Sequence, residues 1–133
     1  MQRIKDTTIE LTRGDILNFD LTLQLEDGTN YEFKANDKIK FAVYLSKKMD
    51  VAPVLQKVIT VSEPSEIVTI TCTSDETKIG DYINSPLECW YEIVLNDENT
   101  VIGFDKEGPK ILKLYPEGYE ESPNGDNNGQ VNN

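Results

Sequence analysis

Residues 16–25 read Ile16-Leu17-Asn18-Phe19-Asp20-Leu21-Thr22-Leu23-Gln24-Leu25. From Leu17 onward apolar and polar residues alternate without a break. A helix would scatter these side chains around its axis, whereas an extended strand places Leu17, Phe19, Leu21, Leu23 and Leu25 on one face. Such a face has to be buried against a second layer, and the same period returns along the chain.

Working outward, Thr7 to Arg13 alternates through Ile9 and Leu11, and Gly14-Asp15 separates it from the long strand. Glu26-Asp27-Gly28-Thr29 has hairpin-turn chemistry, with Tyr31 and Phe33 on a brief return strand. Lys38 to Leu45 alternates again, turning Ile39, Phe41, Val43 and Leu45 inward. Ser46 to Pro53 reads as a loop, and Val54 to Val61 and Ile67 to Thr73 as strands. Ser74-Asp75-Glu76-Thr77 carries helix-start chemistry, with Ser74 as the cap, which predicts one short helical turn ending near Gly80. Cys89 to Leu95 is the next strand. Val101 to Phe104 and Ile111 to Tyr115 are expected to close the fold as a hairpin. The sum is an all-β chain of roughly eight or nine short antiparallel strands, the pattern of an immunoglobulin-like β-sandwich.

The sandwich domain is placed at residues 1–116. Residues 117–133, rich in Glu, Asn, Gly, Ser and Pro, have too few apolar groups for a core of their own. They are expected to form a polar C-terminal tail that is flexible alone, with its ordering against a partner left open.

The chain has 133 residues, 24 of them acidic and 13 basic, for a formal charge of -11. One domain is the expectation at this length, and a chain of this size buries about two thirds of its unfolded surface. The acidic field repels nucleic-acid phosphates and anionic membrane surfaces, so neither is an expected partner. No apolar run approaches the ~20 residues that span a bilayer, and the polar start Met1-Gln2-Arg3-Ile4-Lys5-Asp6 lacks a signal-peptide core.

With no histidine in the chain, triads of the serine–histidine type and cysteine–histidine pairs are excluded. Asp and Glu side chains fall mainly in turns and on outward strand positions, where a solvated face accounts for them; paired carboxylates of the glycosidase type are the remaining catalytic option. The expectation is therefore no catalytic residues, no cofactor and no metal. Cys72 and Cys89 sit among apolar neighbours and read as buried thiols in preference to an inter-strand disulfide. Arg13-Gly14-Asp15 spells an adhesion tripeptide, but its place between two strands favours a structural role. Asn124-Gly125-Asp126-Asn127-Asn128-Gly129 lacks the glutamate and flanking helices of a calcium loop. Trp90 and the tyrosines could stack on a sugar, an alternative in which the chain is a carbohydrate-binding module; a core position for Trp90 is the ordinary expectation.

The order of segments carries a resemblance. Ile9-Glu10-Leu11-Thr12-Arg13-Gly14-Asp15 precedes an alternating strand and an Asp-Gly turn. Asn36-Asp37-Lys38-Ile39-Lys40-Phe41-Ala42-Val43-Tyr44 follows. Ser74-Asp75-Glu76-Thr77 and Gly80-Asp81-Tyr82 then lead to Trp90-Tyr91-Glu92-Ile93-Val94-Leu95. Over residues 7 to 115 the chain resembles small β-sandwich virion domains of tailed bacteriophages infecting Gram-positive bacteria, and is similar to the N-terminal domain of siphophage upper baseplate proteins. Glu92 stands where that family has aspartate, and residues 82–87 lengthen one link. No long receptor-binding region follows residue 133, so the resemblance implies a stand-alone module. It also implies a non-enzymatic structural protein docking on other virion proteins in a tail, baseplate, neck or capsid-surface assembly. Such a protein would be a homo-oligomer within a symmetric particle, found in the virion and, before assembly, in the host cytoplasm. The resemblance transfers no site residues, and the partner-binding residues are left unknown.

Overall fold

In a computed structural model, residues 1–118 are described, and they form nine strands and no helix. In chain order these are β1 (Gln2–Lys5), β2 (Thr8–Thr12), β3 (Leu17–Leu21), β4 (Lys38–Tyr44), β5 (Leu55–Thr60), β6 (Val68–Cys72), β7 (Leu87–Leu95), β8 (Asn99–Ile102) and β9 (Lys110–Tyr115). The larger sheet runs β1-β2-β9-β7-β4-β5, with β8 also on β7, and the smaller pairs β3 with β6. All pairings are antiparallel except β2 with β9. With β4, β7 and β9 in one layer and β3 and β6 in the other, the fold follows the immunoglobulin plan of a two-layer β-sandwich.

Alternation builds the core as expected, except that Leu45, read as inward, lies just past β4 and is exposed. The inner face of the large sheet supplies Ile9, Leu11, Ile39, Phe41, Val43, Cys89, Tyr91, Ile93, Leu112 and Leu114, and the small sheet answers with Leu17, Leu21, Val68, Ile70 and Cys72. Phe41 lies at the centre, with Phe19 edge-on at 5.6 Å and Tyr91 tilted at the same centroid distance. Removing a ring so placed typically costs about 3–5 kcal/mol, because lost transfer energy and the cavity left behind add.

Four expectations change. β3 stops at Leu21 because its partner β6 ends the ladder at the Leu21–Val68 pair. Beyond it Leu23 is only partly buried and Leu25 is exposed. The Asp27-Gly28 turn forms, with Gly28 at φ +90°, but the return segment makes only the isolated bridges Gln24–Asn30 and Phe33–Ser65. The expected helical turn is a single capped turn. Thr73, not Ser74, is the cap: its hydroxyl accepts from Glu76 N–H, and the Glu76 carboxylate accepts from Thr73 N–H. Thr77 N–H reaches Thr73 C=O, and the chain then leaves through buried Ile79 and Gly80 at φ +67°, too soon to propagate a helix.

The closing hairpin is the fourth correction. β8 pairs with β7, not with β9. One flank of β7 is taken by β4; the other is shared, β9 covering Leu87–Tyr91 and β8 covering Ile93–Leu95. Asn96 and Asp97, both left-handed, make the tight turn that folds β8 back at once. Gly103 permits the exit from β8, since a Cβ there would lie 2.6 Å from Thr100 Cγ2.

Candidate functional site

An antiparallel sheet packed on one side ordinarily turns polar residues outward. The middle of the large sheet departs from that rule. Phe41, Ala42, Val43 and Tyr44 are all buried, as are Ile93 with Val94 and Leu114 with Tyr115, so both faces are apolar there. On the outer face Trp90 lies opposite Tyr44 on one side and Ile111 on the other. Trp90 and Ile111 are half-buried, and Val54 and Val58 at the β5 margin are exposed. Trp90 therefore stands on the outer face, and the expectation of a core position is corrected: strand alternation gives the inner face to its neighbours Cys89 and Tyr91. Tyr44 donates to Glu92 at 2.9 Å, and burial together with that carboxylate pushes its hydroxyl up to about 12. The arrangement is a band of flat aromatic and branched side chains across four strands, rimmed by Glu92 and Lys113.

The Arg-Gly-Asp triplet is consumed by the fold. Arg13 donates to the carbonyls of Ile79 (3.1 Å) and Gly80 (2.8 Å) and to the Glu117 carboxylate (2.6 Å). Gly14, at φ +89°, presents its carbonyl to the Ser74 hydroxyl, and Asp15 pairs with the Met1 ammonium. Cys72 and Cys89 are free, buried thiols, each pushed up to about 11 chiefly by burial.

Sequence spacing gave no sign of the polar cluster around Asp37, the one buried carboxylate among the described residues. It accepts from Lys34 N–H (2.9 Å), the Tyr31 hydroxyl (2.8 Å) and the Asn96 amide (3.0 Å). The Lys34 N–H, then the Asn96 amide, hold the carboxyl below its usual range against the opposing effect of burial. Asn96 in turn accepts from Lys38 N–H, so this cluster ties the start of β4 to the end of β7. No acid faces Asp37 across a cleft in these contacts. Among the described residues no three Cys, Asp or Glu side chains gather as metal ligands, and no helix is long and apolar enough to cross a membrane. The expectations of a mobile tail and of a failed calcium loop at 124–129 concern residues outside those described, apart from Glu117 and Gly118.

No protein-family model, curated protein or solved structure matches the chain.

Proposed function

We propose that this chain is a non-enzymatic docking module that works through the outer face of its large sheet, and that it builds into the particle of a tailed bacteriophage. The observation that supports docking is the band of Trp90, Tyr44, Ile111, Val54 and Val58 on a face that alternation would make polar. Tryptophan and tyrosine lose little rotamer freedom when covered and dominate the energetics of protein interfaces. The phage setting rests on the segment order and its resemblance to baseplate domains. Repetition in a symmetric particle would multiply a modest contact into a stable one, and the acidic surface keeps free copies apart before docking.

The test is cryo-electron microscopy and proteomics of particles assembled with the wild-type chain and with Trp90→Ser or Val58→Glu. Incorporation of the wild type, with at least tenfold less of either folded variant, is expected. Particles that lack the wild-type chain, or take up both variants normally, would overturn the proposal. Glycan-array binding that depends on Trp90 would replace it with carbohydrate recognition.

A further inference from the structure

The two-stranded sheet is too narrow to cover the seven-stranded one, and the shortfall opens at the margin where β1 passes β3. A cavity of about 190 Å³ lies there, floored by Ile9, Phe19, Leu21, Tyr91, Ile93 and Ile102. By liquid volume that is room for about six waters, or for one or two aliphatic side chains.

The outward edge of β3 shows what kind of group fits. Residues of an antiparallel strand alternate between facing their partner and facing away. Asn18 faces away from β6, because its N–H and C=O are taken by the side-chain amide of Gln2. Asp20, two residues on, must face the same way. Gln2's next same-face neighbour on β1 is Ile4, which has no hydrogen-bonding side chain. Ile4 lines the cavity together with Asp20 and Thr22. Among the described residues nothing repeats for Asp20 what Gln2 does for Asn18. The seam thus holds a strand edge plugged at one end and open at the other, above an apolar floor.

We propose that this seam is a slot for one extended strand of a partner protein. The incoming backbone pairs with Asp20 and extends past Thr22, and aliphatic side chains at alternate positions enter the cavity. Pairing on a sheet edge with alternate side chains in pockets is an established mode of peptide recognition. Charge selects the occupant. The mouth carries Asp6 and Asp20 with no basic residue among its lining, and Asp20 is steadied by the Thr69 hydroxyl at 2.7 Å. A strand with lysine or arginine between its aliphatic residues complements this rim. A second copy of this chain, at -11, is repelled.

The experiment titrates the full chain with a short synthetic peptide alternating lysine with valine or leucine. Its controls are the same composition in block order and a version with glutamate replacing lysine. Expected are slowed amide exchange at Asp20 and shifted methyl resonances of Ile4, Leu21 and Ile102. Each control should bind at least tenfold weaker. Joint replacement Asp6→Asn and Asp20→Asn should weaken the lysine peptide by up to about tenfold, the range for two rim ion pairs, while leaving the folded spectrum intact. Absence of binding, equal binding of the block-order peptide, or shifts confined to other surfaces would overturn the proposal. Concentration-dependent dimerisation that protects the Asp20 amide would overturn the choice of partner in favour of a second copy. Failure here leaves docking through the Trp90 face untouched, since no residue is shared.

Discussion

The Gln2 side chain stands in for a strand. Its amide oxygen accepts from Asn18 N–H at 2.8 Å and its amide nitrogen donates to Asn18 C=O at 2.9 Å. The pair joins the two sheets and closes one position of an otherwise open edge, a usual liability of sandwich folds.

Gln2→Ala should lower stability by about 1 kcal/mol, the net value of two partly solvated hydrogen bonds, measured as a shift in the urea midpoint. Gln2→Glu should do worse at neutral pH, because a carboxylate cannot donate to Asn18 C=O. Its folded-state pKa is then raised above the unfolded value, so stability is recovered as pH falls. The deficit against wild type should shrink as pH falls through that raised value and be smallest below about pH 4.3, where both states are protonated. An equal deficit at pH 7 and pH 3.5 would contradict the bidentate geometry.

Asp37 makes the chain sensitive to acid. Its folded-state pKa is depressed, by Lys34 N–H first and the Asn96 amide next. The stability it contributes is therefore present above the unfolded value of about 3.9 and is lost as pH falls through the lower folded value. Asp37→Asn should cost about 2 kcal/mol at pH 7, in the range for hydrogen bonds to a charged group. It should also flatten the acid limb of a stability–pH profile.

Tyr44 and Tyr91 should resist alkali. Burial pushes both up to about 12, with Glu92 contributing at Tyr44. Folded-state values above the unfolded one mean that their stabilisation is full below about pH 10 and is lost as pH rises toward 12. A tyrosinate absorbance titration should show at least two of the six tyrosines ionising late and together with unfolding. Tyr91→Phe should remove one of them, and should cost about 1 kcal/mol through loss of the bond to Thr7 C=O.

Arg13→Lys should loosen the 78–80 segment. An ammonium cannot reproduce the fork that reaches the Ile79 and Gly80 carbonyls and Glu117 together. A loss of about 2 kcal/mol is expected, with faster tryptic cleavage after Lys78. Unchanged cleavage would show that the clamp does not restrain this segment.

Much of the fold was legible because period-two alternation is a local signal. The residues facing inward on β2, β4, β6 and β7, and the turn at Gly28, follow from spacing alone. β1 was not legible: Gln2-Arg3-Ile4-Lys5 is exposed throughout and held by pairing to β2, so it carries no apolar stripe. Trp90 was misplaced because its strand is apolar on both faces, which blurs the alternation that assigns sides. Nor could spacing find Asp37 with Asn96, which lie 59 residues apart and meet only when β4 and β7 pair.

By itself, then, the sequence determined that this protein is an all-β two-layer chain and which side chains form most of its core. Burial of alternate residues is decided within each short segment. Only the tertiary structure decided that β2 runs parallel to β9, that β8 shares a flank of β7, and that Gln2 seals Asn18 while no described residue does the same for Asp20. Those outcomes depend on which edges meet and how far each ladder extends, a competition among segments distant in sequence that no local pattern records.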